Sequence, residues 1–164
     1  MTIDDIQALP FHLRVTIPKD YLDIFEHMNV QYYLKIFNDS VFHMCANLGM
    51  TAEFFAENHN GIYAVDQRLS YRAEVKAGDT VAVYSRLIAR SAKSLHFKVF
   101  MINETKEVLS ATMEALAFHV DRNTKRSAPF LEITQKALDA RLKQEQTLEW
   151  DAQLTDKIRI NGIL

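Results

Sequence analysis

Three chemically useful side chains, Asp23, His27 and Asn29, lie close together in sequence, just ahead of a long amphipathic segment. A carboxylate can act as a nucleophile or a general base, and a nearby imidazole can position water or substrate. A helix that starts here adds unpaired backbone N–H groups and a partial positive charge. We expect the N–H groups of Val30 and Gln31 to stabilise a developing oxyanion.

Each of these side chains also has an ordinary structural interpretation. Asn29 can simply cap the helix, His27 can be a hydrogen-bonded loop residue, and Asp23 can complement the charge of the helix start. Any one of them alone favours that interpretation. The three together, at this spacing, favour a chemical site.

The segment that positions this group is a predicted helix over residues 30–48. Its apolar residues recur every three or four positions, which is the period of one helix face. Asn29 fits the N-cap, and Gly49 fits the stop at the other end. The apolar stripe comprises Val30, Leu34, Phe37, Val41, Met44 and Leu48.

The rest of the chain is mainly strand by its period of two. Strands are predicted over residues 11–17, 62–71, 80–89, 95–102 and 108–120, with a hairpin turn at 103–106. In the first strand, Phe11, Leu13, Val15 and Ile17 are expected to share one face. A short helix is predicted over 51–57 and another over 131–146. This order indicates an α+β fold in which one helix covers one face of an antiparallel sheet.

Bulk composition limits the classes of function. The chain has 164 residues, of which 48% are hydrophobic, and a formal net charge of −2. The net charge of the chain therefore does not attract nucleic acid or an anionic membrane. The apolar runs are too short for a membrane helix, and the single Cys45 allows no internal disulfide. We expect a soluble cytoplasmic protein that binds neither nucleic acid nor membrane.

Six histidines raise the question of a metal site, but neither HxH nor HExxH occurs. Since these spacings place two ligands on one face of an element, their absence argues against metal. We expect no metal. His12 and His119 are predicted to meet across strands, whereas His59 and His96 look isolated.

The loop from Asp23 to Asn29 reads Asp-Ile-Phe-Glu-His-Met-Asn and runs into Tyr33-Leu34. It resembles the hotdog-fold acyl-CoA thioesterases of the 4-hydroxybenzoyl-CoA thioesterase type. There, a loop Asp-x-x-Gly-His-x-Asn, or Asp-x-x-Gln-His-x-Asn-Asn in long-chain branches, precedes a helix starting Tyr-Leu. The resemblance spans about residues 11–122 and continues in Tyr71-Arg72, Gly78-Asp79 and Ser94.

The resemblance implies a hotdog fold, an antiparallel sheet wrapped around one long central helix, and a homodimer or homotetramer with interfacial active sites. The family's catalytic Asp falls on Asp23, and its His and Asn fall on His27 and Asn29. Glu26 occupies the usual Gly or Gln position, and Val30 replaces the second Asn. The hotdog domain would comprise residues 1–128, followed by a helical extension over 129–164.

The activity implied is hydrolysis of an acyl-CoA to a carboxylic acid and free coenzyme A. No cofactor is expected, since coenzyme A is part of the substrate. A fatty acyl group is the first expectation. A small acyl group linked to carnitine or betaine metabolism is second, and an aromatic one third. The alternatives are a non-catalytic acyl-CoA-binding or regulatory protein and a purely structural oligomer.

Substrate-binding residues are expected at two places. Coenzyme A carries phosphates, and the turn holding Arg90 and Lys93 is where family members commonly bind the nucleotide; Ser94 fits a family position beside it. Tyr33, Phe37 and Tyr71 are candidates for the acyl pocket, with ordinary core packing as the equal alternative.

Overall fold

The computed structural model of the protein describes residues 1–160. Its helices are α1 (Ile3–Gln7), α2 (Val30–Asn47), α3 (Ala52–Glu57) and α4 (Glu132–Glu145). Its strands are β1 (Phe11–Thr16), β2 (Asn60–Tyr71), β3 (Thr80–Arg90), β4 (Ser94–Asn103), β5 (Val108–Asp121) and β6 (Arg126–Ser127). The predicted strands and helices are confirmed to within two residues at each end. The short α1 and β6 were not predicted.

The strands form a sheet in the order β1-β3-β4-β5-β2, and β6 pairs with β5. β1 runs antiparallel to β3, and the short links after β3 and β4 make the next two pairs hairpins. One prediction for β1 is wrong. Phe11 is exposed and His12 is buried, because the register with β3 shifts between Phe11 and Leu13.

Helix α2 begins and ends where the sequence predicted. The Asn29 side-chain oxygen accepts a hydrogen bond from the Gln31 backbone N–H at 3.1 Å, as an N-cap does. At the other end Gly49 adopts φ +80°, and the Met50 N–H returns to the Cys45 carbonyl at 2.9 Å. Val30, at the head of the predicted stripe, is exposed, whereas the buried face includes Tyr33, Ile36, Phe37, Ser40, Met44, Cys45 and Leu48.

The chain divides into two compact units. The first contains residues 1–43, 69–85 and 99–113. Its core includes Ile17, Phe37, Val83 and Phe100, all nearly inaccessible to solvent. It also contains the loop that carries the predicted chemistry.

The second unit contains residues 44–68, 86–98 and the chain from 114 onward. Here α4 is tied to β3, because Arg90 forms a two-pronged ion pair with Asp139. The tail beyond α4 is held by buried side chains such as Ile158 and by hydrogen bonds to its main chain. Arg86 donates to the Trp150 and Leu148 carbonyls at 2.8 and 3.1 Å. The predicted boundary between residues 128 and 129 stays a prediction.

Two expectations about histidines are wrong. His12 and His119 do not meet: His12 bonds the Ser85 hydroxyl, and His119 bonds the Ala128 carbonyl. The strands β1 and β5 that carry them are separated by two others. His96 is not isolated, since its Nε2 lies 2.9 Å from a Glu114 carboxylate oxygen.

Within residues 1–160, none of the helices has the length and apolar character that crossing a bilayer would require.

Candidate active site

The loop 23–27 is closed by its own backbone. Leu22 and Met28 form an antiparallel bridge, and the Asp23 N–H donates to the His27 carbonyl at 2.9 Å. The Glu26 N–H donates to the Asp23 carbonyl at 3.1 Å. Asp23 and His27 are therefore held at the two ends of one tight turn.

This turn hydrogen-bonds one of the two oxygens of the Asp23 carboxylate. Its Oδ1 accepts backbone N–H groups of Phe25 at 2.8 Å and His27 at 3.3 Å. These bonds fix the carboxylate relative to the main chain. Among residues 1–160, no group hydrogen-bonds Oδ2. One oxygen thus orients the side chain. The other is available to accept a hydrogen bond from water or to attack a carbonyl carbon.

The backbone of Glu26 adopts the left-handed conformation, with φ +60°. That conformation costs an ordinary L-residue about 1–2 kcal/mol, and glycine almost nothing. The resembling loops often place glycine at this position, and the turn geometry gives the physical reason. The Glu26 side chain is exposed, so its carboxylate is presented to solvent beside Asp23.

His27 has a partner that the sequence did not indicate. Its Nε2 lies 2.7 Å from a Glu74 carboxylate oxygen, and both side chains are about half exposed. Glu74 lies in turn 3.4 Å from the Lys76 ammonium. The hydrogen bond with Lys76 lowers the pKa of Glu74. The sequence did not indicate Glu74 because it is far from His27 along the chain, and no local pattern links positions 27 and 74.

The helix start offers one unused donor. The Asn29 N–H donates to the Tyr21 carbonyl at 2.9 Å, and its side chain takes the Gln31 N–H. In the described part of the chain the Val30 N–H has no acceptor. Of the two predicted oxyanion donors, the Val30 N–H is therefore free to donate. The Gln31 N–H must first break its hydrogen bond with the Asn29 side chain.

The predicted acyl-pocket residues differ in exposure. Tyr71 is 50% exposed and packs edge-on against Tyr33, with ring centroids 5.0 Å apart. Burial raises the pKa of Tyr33 to about 12. Phe37 is fully buried. Only Tyr71 therefore presents a large accessible face, and the pocket role of all three stays a prediction.

The predicted nucleotide-binding residues belong to the second unit. Arg90 is engaged by Asp139, whereas Lys93 is exposed. Ser94 is buried, and its hydroxyl lies 2.7 Å from that of Ser91. Since Arg90 already has a carboxylate partner, Lys93 is the more accessible cation for a phosphate.

Cys45, on α2, is nearly inaccessible, and burial raises the pKa of its thiol to about 12. It is therefore a poor nucleophile. No group of three or more His, Cys, Asp or Glu suited to a metal ion occurs among residues 1–160.

Comparison with known proteins identifies the family. Residues 17–138 match the model of the thioesterase-like superfamily, which is well over half of the chain. The chain belongs to that superfamily.

Two relatives have named activities. The L-carnitine dehydrogenase/betainyl-CoA thioesterase of Agrobacterium fabrum is 30% identical over 126 residues, covering 77% of this chain and 26% of that protein. The chain thus spans about a quarter of that relative. The betainyl-CoA thioesterase of Pseudomonas aeruginosa is 24% identical over 111 residues, covering 68% of this chain and 70% of that protein.

A solved structure agrees with the fold. A Staphylococcus aureus protein in complex with CoA superposes with a TM-score of 0.83 at 23% identity, covering 93% of this chain and 96% of its own. Together with the sheet order and the long helix α2, this confirms the predicted hotdog fold.

Proposed function

We propose that this protein hydrolyses an acyl-CoA thioester to a carboxylic acid and free coenzyme A, with Asp23 as its central catalytic group. The observation that carries the proposal is the Asp23 carboxylate, oriented through Oδ1 and open at Oδ2, in the loop that leads directly into helix α2. Membership of the thioesterase-like superfamily supports it.

In the general-base route, Asp23 Oδ2 takes a proton from a water molecule as the water oxygen bonds to the thioester carbon. The carbonyl oxygen becomes an oxyanion that the Val30 N–H stabilises. One such donor contributes about 3–4 kcal/mol in known acyl-transfer sites. Collapse of this intermediate breaks the C–S bond, and the proton on Asp23 passes to the departing thiolate.

In the nucleophilic route, Asp23 Oδ2 bonds to the carbonyl carbon and displaces the coenzyme A thiolate, forming a mixed anhydride. Water then cleaves that anhydride, and its two protons end on the thiolate and on the product acid. Single turnover in ¹⁸O-labelled water tests for the nucleophilic route, because water that attacks the aspartyl carbon of the anhydride leaves label in Asp23. Label confined to the product fits the general base and also attack on the acyl carbon, so trapping of the anhydride with hydroxylamine separates those two cases.

The first substrate class to test is a small acyl group that carries a quaternary ammonium, as in betainyl-CoA. The names of two relatives support this choice. So does the site: the exposed carboxylate of Glu26 and the half-exposed ring of Tyr71 are groups that attract such a cation. This ranks the small acyl group ahead of the fatty acyl group first expected from the motif.

The test is release of free thiol from betainyl-, acetyl-, long-chain and benzoyl-CoA, with Asp23→Asn as the matched control. We expect release by the wild type and almost none by the variant, with betainyl-CoA preferred. Binding of acyl-CoA without release by the wild type would instead identify a non-catalytic acyl-CoA-binding protein.

A homodimer or homotetramer is also proposed. β2 ends the sheet order, and its Tyr63 and Val65 are 50% and 57% exposed. A long edge strand with exposed apolar residues is suited to pairing with a second copy. Light scattering after size exclusion tests this, and Val65→Lys should shift the population towards monomer.

The cytoplasm is the proposed location, because the composition lacks disulfide pairs and the one thiol is buried. Cell fractionation followed by immunodetection tests it.

A further inference from the structure

We infer that Glu74 is a positioning residue for His27: it holds the imidazole in one orientation and one protonation pattern beside Asp23. The inference rests on the proposed function for its catalytic consequence. Its structural part rests on the 2.7 Å contact between His27 Nε2 and the Glu74 carboxylate. The two residues are distant in sequence and come from a loop and from the segment after β2.

The segment that carries Glu74 is rigidly attached. Before it, the Arg72 and Ala73 N–H groups both donate to the Ser110 carbonyl, at 2.8 and 3.2 Å. After it, the fully buried Val75 fixes the chain, and its carbonyl accepts the Met28 N–H at 2.8 Å. That last bond joins the segment directly to the residue following His27.

The turn beyond Val75 is fixed as well. The Asp79 carboxylate accepts the Lys76 N–H and the Asn103 side-chain amide, each at 2.8 Å. It also lies 3.0 Å from the Lys106 ammonium. Burial opposes ionisation of Asp79, but these hydrogen bonds outweigh it and lower its pKa. The backbone of Glu74 is therefore anchored on both sides. This restricts where its carboxylate can lie and favours the contact with His27.

The charge of Glu74 suits this role. The hydrogen bond with Lys76 lowers the pKa of Glu74, so the carboxylate is ionised at neutral pH. An ionised carboxylate has no proton to donate and can only accept one from the imidazole. In the neutral ring the proton must then be on Nε2, which leaves the lone pair on Nδ1.

This arrangement supplies what the active-site turn lacks. The turn fixes the His27 backbone through Asp23, but it does not fix the imidazole ring. The Glu74 contact restricts ring rotation and selects the tautomer. The Nδ1 lone pair then becomes a defined acceptor for a water or for substrate.

The test compares Glu74→Ala and Glu74→Gln with a matched control, Glu104→Ala, which removes another carboxylate of the same unit. Glu104 pairs with Arg14 and has no contact with the loop among the described residues. We expect kcat/KM to fall on the order of tenfold in Glu74→Ala, below the 10²–10⁴ attributed to a general base itself. Glu74→Gln, whose amide oxygen still accepts from Nε2, should recover most of the loss, and Glu104→Ala should change nothing.

A second readout does not depend on turnover. The ¹⁵N resonances of the His27 ring, assigned by their loss in His27→Gln, are recorded at pH 8, where an ordinary imidazole is neutral. We expect a fixed Nε2–H tautomer in the wild type and an averaged pair of shifts in Glu74→Ala.

The two readouts separate the failures. If no acyl-CoA is hydrolysed, the proposed function fails and the ring resonances alone decide whether Glu74 positions His27. Unchanged ring resonances in Glu74→Ala overturn the inference, whatever happens to kcat/KM. A fall in kcat/KM that Glu74→Gln does not recover, or that Glu104→Ala matches, also overturns it.

Discussion

The protein contains two histidine–glutamate pairs of nearly the same length in very different surroundings. His27 and Glu74 are 2.7 Å apart with side chains 43% and 50% exposed, whereas His96 and Glu114 are 2.9 Å apart with side chains 7% and 3% exposed. Water screens the first pair, and breaking it costs the fold little. Water is excluded from the second pair, and removing one partner leaves a buried polar group unsatisfied.

The neighbours of the two pairs differ in the same way. Next to His27 is Asp23, with one carboxylate oxygen available. The other carboxylate oxygen of Glu114 accepts a hydrogen bond from the Thr155 N–H of the tail at 2.7 Å. Both oxygens of Glu114 are therefore hydrogen-bonded. We interpret the exposed pair as part of the chemistry and the buried pair as part of the framework.

The largest expected effect is on catalysis at the exposed site. Asp23→Asn should reduce kcat at least 100-fold on the best acyl-CoA, because an amide can neither take a proton nor attack a thioester. The melting temperature should change little, since the amide oxygen can still accept the Phe25 and His27 N–H groups. Thiol release and thermal unfolding measure the two, and near-wild-type turnover would contradict the role of Asp23.

The next effect is on stability at the buried pair. Glu114→Ala should lower the free energy of unfolding by about 3–5 kcal/mol, since it leaves both His96 and the Thr155 N–H without an acceptor. Denaturant unfolding measures the loss. Glu114→Gln keeps an acceptor of the same shape, so it should lose clearly less, and equal losses in the two variants would argue against the hydrogen bonds as the cause.

A smaller effect is expected at the turn between Asp23 and His27. Glu26→Gly should raise the free energy of unfolding by up to about 1 kcal/mol, because it relieves the left-handed strain but gives the unfolded chain more freedom. Chemical denaturation tests this. Glu26→Ala provides the control, since alanine keeps the strain and loses only the charge; a gain in Glu26→Ala equal to that in Glu26→Gly would contradict the strain argument.

The smallest effect is that of Glu74 on stability. Glu74→Ala should leave the melting temperature within about 2 °C of wild type at pH 7, because the pair is exposed. The pKa of Glu74 is lowered in the folded state, so its contribution is present above the ordinary glutamate pKa of 4.5 and disappears as pH falls through the lower folded value. Melting curves at pH 7 and pH 3 check the sign, and a difference that grows towards pH 3 would contradict it.

The sequence could predict what depends on local patterns. The helix α2 followed from its apolar period, and the Asp23-to-Asn29 loop followed from residue types at close spacing. The His96–Glu114 pair was missed although a signal existed: both residues are equally far in sequence from Thr105, at the turn of the predicted hairpin. Applying the cross-strand pairing rule to that hairpin would have brought them together.

Glu74 had no such signal. Its contact with His27 depends on how the segment after β2 is anchored to Ser110 and Met28, which only the folded chain determines. The inward turn of His12 was unpredictable for a related reason, since a single register shift exchanges the faces of a strand.

The attachment of the tail has a consequence for how freely its sequence can change. Arg86 and Lys98 hold it through carbonyl oxygens of Trp150 and Gln153, and Glu114 holds it through the backbone N–H of Thr155. Every residue type except proline carries both of these main-chain groups. Substitutions of the tail's exposed side chains therefore leave these three hydrogen bonds intact, whereas a substitution of any of the three sheet residues removes one of them.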